Sequence, residues 1–202
     1  MKLSAGLGSL VLLAATALPA AFPAGLPTTM AAPASGGGTT RQDYPISDGI
    51  VVQLDVPNAW AGGLADKTGQ RIPSILFQSN VNPRFQVLVS VMPLSGPQDI
   101  EAKIRQSAVE VGGQAIEGEP KIMAFTGDHG RGWYFAITDK QYADPKSVPP
   151  VGEFKYLTRG GVVFERASLV FTILTNDDSR DIEAPALAMI KKSAIRQDAG
   201  ST

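Results

Sequence analysis

The chain has 202 residues, with 21 Gly, 15 Pro, a single His and no Cys, and its formal net charge is −1. Without Cys the chain can form no disulfide, no cysteine-linked lipid anchor and no cysteine-ligated metal centre. A charge this close to zero also provides no basic surface for nucleic acid, which needs clustered Lys and Arg. Any mechanism that uses histidine must therefore use His129.

Residues 1–22 are typical of a secretory signal peptide. Lys2 is followed by an apolar stretch from residue 3 to residue 21, and small-x-small cleavage sequences occur up to residue 34. The alternative is an uncleaved anchor, because about 20 apolar residues suffice to span a membrane. Two glycines and Pro19 interrupt the stretch, which favours cleavage. The sequence thus predicts a periplasmic or secreted protein with no stable membrane span after cleavage.

Residues 23–43 are rich in Pro, Ala and Gly and include the sequence Ser-Gly-Gly-Gly-Thr-Thr at 35–40. Such a segment buries too little apolar surface to offset the loss of chain entropy on folding. It is predicted to be a flexible tether. Residues 44–197 are long enough to form one domain with its own core.

The pattern of apolar residues predicts mostly strands within the domain. Apolar residues alternate in several segments, and some segments are apolar on both faces. One helix is predicted to begin with a capping box at Ser95–Gln98 and to end at Gly112–Gly113, and another begins near Ile182. The predicted strands are 49–56, 71–79, 85–92, 121–126, 132–138, 154–164 and 167–175, with a Pro-rich loop at 139–152.

The predicted order, βββαβββββα give or take one strand, has two helices to cover a largely hairpin-connected sheet. Strands that are apolar on both faces need cover on both sides. The fold class is therefore predicted to be α/β, a three-layer α/β/α sandwich around a mainly antiparallel sheet. The alternative places both helices on one face of the sheet.

The first predicted strand has alternating apolar residues and a Pro-x-x-Trp corner, Ile50-Val52-Leu54-Val56-Pro57-x-x-Trp60. Together with the later strand 170–174 and the helix end 189–193, this pattern resembles PsbP/Mog-like domains over most of residues 44–197. The family includes small secreted bacterial proteins of unassigned role. The resemblance implies an α/β/α sandwich that docks to other proteins, as in photosystem extrinsic subunits and Ran-binding members. It implies no shared catalytic residues.

The segment 127–132, Gly-Asp-His-Gly-Arg-Gly, is the most polar cluster with special residue types. One interpretation is an active-site loop of a hydrolase or lyase, with His129 as general base and Asp128 or Asp139 orienting it. Another is an anion-binding loop in which backbone N–H groups converge. The favoured interpretation is a hairpin turn whose glycines supply positive φ.

A second candidate cluster is the acidic segment 176–181, Asn-Asp-Asp-Ser-Arg-Asp. Three carboxylates in six residues could hold Ca²⁺ through oxygen atoms, but the Gly and distal Glu of a calcium loop are missing. The favoured interpretation is the start of the last helix, where Asp is common. No metal and no cofactor are predicted.

Aromatic residues flank the Pro-rich loop, and one interpretation is a binding surface beside it. The binding residues would be Arg131, Trp133, Tyr134, Tyr142 and Tyr156. The favoured interpretation is that Trp133 and Phe154 belong to the core and that the tyrosine hydroxyls reach solvent. Trp60 is predicted to pack in or against the core beside Pro57.

The function predicted from these observations is a secreted, non-enzymatic binding or accessory domain of the bacterial envelope. It would act by docking to an envelope protein whose identity the sequence does not reveal. Two alternatives stay open. One is a hydrolase or lyase that uses His129 with Asp128, and the other is a purely structural envelope protein.

Overall fold

A computed structural model of the chain describes residues 38–47, 49–65, 72–78, 84–94 and 99–197. The predicted signal peptide 1–22 and the tether up to residue 37 lie outside the described residues. The elements in chain order are β1 (Thr39–Ser47), β2 (Ile50–Pro57), β3 (Ala61–Leu64), β4 (Ser74–Gln78), β5 (Phe85–Pro93), α1 (Ile100–Gly112), β6 (Met123–Thr126), β7 (Arg131–Thr138), β8 (Tyr156–Val163), β9 (Ala167–Thr175), α2 (Glu183–Lys191) and β10 (Ala194–Gln197).

The larger of two sheets has seven strands in the order β3-β4-β5-β9-β8-β7-β6, and each neighbouring pair is antiparallel. The fold is therefore a mixed α/β fold dominated by antiparallel sheet, as predicted at the level of class. The predicted long hairpin is confirmed, since β8 and β9 pair from Tyr156–Thr175 to Val163–Ser168. Its register puts Leu169, Phe171 and Ile173 on one buried face.

A second sheet, which the sequence analysis did not predict, has three strands in the order β1-β2-β10. Strand β1 begins at Thr39, inside the segment assigned to the tether up to residue 43, and pairs with β2 from Thr39–Pro57 onward. Strand β10 begins at Ala194, in a part of the chain for which no strand was predicted. Both segments are corrected to strands, because pairing with β2 satisfies their backbone hydrogen bonds.

The larger core lies between the two sheets. It is formed by the buried face of β5 and β9, by β2 residues such as Leu54, and by α2 residues such as Met189 and Ile190. The rings of Tyr44 from β1 and Phe77 from β4 meet edge to face, with centroids 5.9 Å apart. Such apolar contact is the main force that holds the small sheet and α2 on this side.

Helix α1 packs on the opposite face of the seven-stranded sheet, against β7 and β8. Ile100, Ile104 and Ala108 form a second core with Phe135 and Ile137. The N-cap of α1 is Asp99, whose carboxylate accepts a hydrogen bond of 2.8 Å from Ala102 N. The predicted capping box at 95–98 lies outside the described residues. The two helices thus lie on different faces of the seven-stranded sheet. The small sheet lies on the same face as α2, and the predicted sandwich did not include this small sheet.

Trp60 packs against the larger core, as predicted. Its ring centroid lies 5.1 Å from that of Phe85 and 6.2 Å from that of Phe77. Its backbone N–H donates to Pro57 O at 2.9 Å, which closes the corner after β2. Among the residues described, no helix has the length and apolar character needed to cross a membrane.

Candidate functional site

The Pro-rich loop and two other connections meet at one end of the seven-stranded sheet, called here the loop end (residues 113–119, 139–156 and 176–183). At this end β7 stops, β8 starts and β9 stops, since Thr138 pairs with Tyr156 and Tyr156 pairs with Thr175. The three connections are therefore neighbours in space although they are far apart in sequence. Positions of this kind are where folds commonly carry binding groups.

The Pro-rich loop is fastened to the sheet at its start. The Asp139 carboxylate accepts a hydrogen bond of 2.8 Å from Gln141 N and caps the 3-10 helix Lys140–Tyr142. Asp139 N donates to Lys155 O at 2.9 Å, which joins the start of the loop to its end. Lys140 also donates from Nζ to Gly113 O at 3.0 Å, so the loop is tied to the segment after α1.

Lys155 and Asp177 form the central ion pair of the loop end. Lys155 Nζ lies 3.0 Å from Asp177 Oδ2, and the lysine side chain is only 8% exposed whereas the aspartate is 57% exposed. The backbone N–H of Lys155 donates to Asn176 Oδ1 at 2.8 Å. The strand start of β8 and the segment after β9 are thus joined by both a charged and a neutral contact.

Tyr156 extends this network toward α2. Its hydroxyl donates to Asp177 Oδ1 at 2.5 Å, and the guanidinium carbon of Arg180 lies 4.2 Å from the centroid of its ring. Arg180 pairs with Glu183 at 2.9 Å, and Glu183 Oε1 accepts a 2.8 Å hydrogen bond from Thr158 Oγ1. A cation over an aromatic face is attracted to the ring, so Arg180 is held on Tyr156.

Three groups of this network have shifted pKa values. Hydrogen bonds from Tyr156 and Lys155 lower the pKa of Asp177, and the hydrogen bond to Asp177 raises the pKa of Lys155. Burial alone would raise the pKa of Glu117. The hydrogen bonds from Thr138 N and Oγ1 and the positive charge of Arg180 offset that effect, so its pKa is lowered. All three groups are therefore held in their charged forms.

Tyr142 joins the start of the Pro-rich loop to its end. It is buried, and its hydroxyl donates to the carboxylate of Glu153. This hydrogen bond, with burial, raises the pKa of Tyr142 to about 12. Glu153 O in turn accepts a 3.1 Å hydrogen bond from Asn176 Nδ2. The two halves of the loop are therefore joined to each other, and the second half is also held by a side chain of the segment after β9.

The middle of the loop presents apolar side chains to solvent. Val148 is 84% exposed and Val151 is 77% exposed. Ile116, also exposed, lies on the segment after α1, where its backbone N–H donates to Thr138 O at 2.9 Å. Apolar side chains that are exposed to solvent on a loop fixed by hydrogen bonds are a feature of interaction surfaces.

The residues proposed as an alternative catalytic group are not brought together. Asp128 and His129 are exposed at the start of β7, whereas Asp139 follows its end. An eight-residue strand spans about 26 Å, so Asp139 cannot orient His129. The prediction of a contact between them is wrong, and Asp139 serves as the cap of a 3-10 helix.

Segment 127–132 forms the predicted turn, but its glycines act in another way. Among the described glycines, positive φ occurs only at Gly49, Gly118 and Gly152. A Cβ atom on Gly130 would lie 2.4 Å from Val163 O, and one on Gly127 would lie 2.4 Å from Lys191 O. The prediction of positive φ is therefore wrong, because these glycines permit close approach of another backbone.

The five predicted binding residues do not share one surface. Arg131 lies with its guanidinium carbon 5.5 Å from the Trp133 ring centroid, and that ring packs against the core under α1. Tyr134 faces the other side of the sheet, with its ring centroid 5.9 Å from that of Phe125. Only Tyr142 and Tyr156 lie at the loop end.

The acidic segment 176–181 forms a turn rather than a calcium loop. Asp177–Ile182 is a 3-10 helix, and Asn176 precedes it. Asn176 N donates to Ser179 Oγ at 3.0 Å, and Asp177 pairs with Lys155. Within the described part of the chain, no three His, Asp or Glu side chains are grouped so that they could hold a metal ion.

Sequence reasoning missed Lys155, Arg180 and Glu183, and it gave Asp177 another role. The acidic segment was noticed, but its partner in β8 could be recognised only from the pairing of β8 with β9. The available signal was Lys155 itself, a charged residue between the aromatic residues Phe154 and Tyr156 at the start of the predicted strand.

The chain was also compared with known proteins. No family model and no curated protein sequence matches it. A solved structure to which it is similar is the solution structure of cyanobacterial PsbP (CyanoP) from Synechocystis sp. PCC 6803, with a TM-score of 0.48 and 12% sequence identity. The match covers 83% of this chain and 99% of that one.

Proposed function

We propose that this chain is a secreted, non-enzymatic accessory domain of the bacterial envelope that docks to another protein through its loop end. The observation that carries the proposal is the pair of exposed valines, Val148 and Val151, on a loop fastened at both ends. A fastened loop loses little conformational freedom on binding, and this favours affinity. The sequence of residues 1–22 supports the proposed export.

The polar network of the loop end supports a protein partner. Its charged groups Asp177, Arg180 and Glu153 already have partners within the domain. A ring of polar groups around an apolar centre is the usual arrangement of an interface between proteins. The partner surface would therefore present an apolar patch to Val148 and Val151.

The enzymatic alternative has less support from the geometry. A general base needs a partner to orient it and a recess that excludes water. Asp128 and His129 are both exposed, and Asp139 is at the other end of β7. No observation among the described residues favours a hydrolase or lyase over the docking domain.

The proposal can be tested by site-specific photo-crosslinking in the native cells. A photoreactive residue replaces Val148 in the full chain, and a matched variant carries it at Val109, which is 71% exposed on α1. We expect position 148, but not position 109, to crosslink to one envelope protein. Val148→Asp with Val151→Asp should remove the interaction with that protein.

Fractionation of the same cells tests the location. We expect the chain in the periplasm or medium, without residues 1–22. Equal crosslinking at positions 148 and 109, or an unchanged interaction in the double aspartate variant, would show that the loop end is not the docking surface.

A further inference from the structure

Arg159 is the one charged residue in the middle of β8, and it projects to the α1 side of the seven-stranded sheet. The pairing of the strands places it in a row across the sheet that reads Phe135, Arg159, Thr172, Leu88 and Leu76. Phe135 is buried under α1, whereas Thr172, Leu88 and Leu76 are only half-buried. Arg159 therefore lies at the border between the covered and the open part of this face.

Helix α1 forms a wall along this border. Its residues Arg105 and Ala108 line a shallow groove with 119–122 on the β6 side. Lys103, Ser107 and Glu110 are spaced by four and three residues, so they share the other flank of the helix. That flank faces the open strands β9 and β5. Helix and sheet together make an open corner with Arg159 at its base.

The guanidinium of Arg159 is held there without a matching acceptor. Its Nε atom is buried and has no hydrogen-bond partner among the residues that the structure describes. Burial lowers the pKa of Arg159, and the opposing influence comes from the charge of Glu110. The Glu110 carboxylate itself accepts a 2.9 Å hydrogen bond from Gln106 Nε2. Arg159 forms no ion pair among the described residues and its side chain is partly exposed, so the guanidinium can take an acceptor from a ligand.

We propose that Arg159, at the base of the corner between α1 and the open part of the sheet, binds a carboxylate of a partner protein. Arginine can donate two parallel hydrogen bonds to a carboxylate, which gives both strength and orientation. Described residues of β4, β5 and β9 that face this side carry no charge: Ser74, Leu76, Gln78, Gln86, Leu88, Ser90, Met92, Ser168, Val170, Thr172 and Leu174. No fixed anion on these strands competes with the ligand.

The shape and lining of the corner identify the partner further. Small-molecule sites usually enclose most of the ligand, but this corner is open along the sheet. Leu88 and Leu76 continue the row beyond Thr172 and can contact an apolar side chain next to the carboxylate. The ligand is therefore an acidic side chain or a chain terminus flanked by an apolar residue. This site lies on the sheet face, separate from the loop end, and does not depend on the function proposed for it.

The inference can be tested by NMR titration of the full chain with short peptides. The probes are acetyl-Leu-Asp-Leu amide, with acetyl-Leu-Asn-Leu amide as its neutral control, and acetyl-Ala-Leu with a free or an amidated C terminus. We expect the acidic form of at least one pair to bind tenfold or more tightly than its neutral form. The amide signals of Arg159, Thr172 and Leu88 should shift. The pair that shows the larger difference distinguishes a side-chain from a terminal carboxylate.

Variants test whether Arg159 is responsible. Arg159→Gln should remove the preference for the acidic peptide, whereas Arg105→Gln, on the other flank of α1, should keep it. Glu110→Gln, a change at an exposed position that should leave the fold intact, should tighten acidic peptide binding about twofold or more, because a like charge opposes the ligand. Equal binding of acidic and neutral peptides, shifts confined to another surface, or no effect of both Arg159→Gln and Glu110→Gln would overturn the inference.

Discussion

Lys155 and Asp177 form an ion pair of 3.0 Å in which a nearly buried cation depends on a largely exposed anion. We expect Asp177→Asn to lower the thermal stability, because the ammonium group of Lys155 would lose its charged partner while remaining enclosed. The matched control is Asp178→Asn, which breaks a pair with Arg84 in which both side chains are more than half exposed. Thermal unfolding should show a loss for the first variant and little change for the second, because exposed pairs contribute little. Equal effects would mean that Lys155 does not depend on Asp177.

The acid sensitivity of the domain should depend on Tyr156. The pKa of Asp177 is lowered, first by the hydrogen bond from Tyr156 and then by that from Lys155. Its contribution to stability is therefore fully present above the unfolded pKa of about 3.9 and is lost as the pH falls through the lower folded pKa. Tyr156→Phe should raise the folded pKa of Asp177 and flatten the fall in stability at low pH. Carboxylate titration by NMR and urea unfolding between neutral and acid pH measure the two effects; an unchanged pKa of Asp177 would contradict the assignment.

The turn before β7 should tolerate a change at its histidine but not at its glycine. A methyl group on Gly130 would meet Val163 O at 2.4 Å, so Gly130→Ala should destabilise the domain by about 1–3 kcal/mol through overpacking. His129→Ala, at an exposed site, should change stability by at most about 0.5 kcal/mol. Gly113→Ala is the control, because a Cβ atom there would meet nothing within 4 Å. A stable His129→Ala protein that loses its cellular role would instead favour the enzymatic alternative.

Trp60 should be among the most important side chains for stability. It packs between Phe85 and Phe77 at the corner after β2, and truncation of such a ring costs about 3 kcal/mol or more. Trp60→Ala should therefore lower the midpoint of urea unfolding strongly, whereas Val109→Ala, at an exposed helix position, should not. A loss below about 0.5 kcal/mol, the usual limit at surface sites, would show that the ring contributes little to the core.

Arg159 should reduce the stability of the free domain. Its Nε is buried without a partner among the described residues, and a Met side chain reaches about as far as Nε without carrying a donor. Arg159→Met should raise the free energy of unfolding by about 1 kcal/mol, the lower end of the cost of an unsatisfied buried group. The change would also remove the proposed carboxylate binding. A loss of stability would indicate a structural role for the guanidinium.

The sequence allowed prediction of those parts of the fold that depend on local patterns. The alternation of Leu169, Phe171 and Ile173 placed them on one face of a strand, and β8–β9 formed the predicted hairpin. Strands β1 and β10 could not be predicted, because their sequences show little alternation of apolar and polar residues. Their extended conformation depends on pairing with β2. Tertiary contacts of this kind override local preference.

The candidate site shows the same division. Tyr142 and Tyr156 were identified because they flank the Pro-rich loop, and both lie at the loop end. Trp133 and Tyr134 could have been separated from the sequence alone, since neighbouring residues of a strand point to opposite faces. The contact between Lys155 and Asp177 could not, because it exists only once β8 and β9 are paired in register.

The pairing of β10 with β2 has a consequence for synthesis. In the small sheet, β2 can pair with β1 as soon as both have left the ribosome. The other edge of β2 stays unpaired until residues 194–197 have been synthesised. Until then the backbone hydrogen-bonding groups of β2 on that edge are available to other chains, which is a hazard for aggregation. A nascent chain interrupted before Ala194 would keep that edge open, so the small sheet is complete only once residues 194–197 have been made.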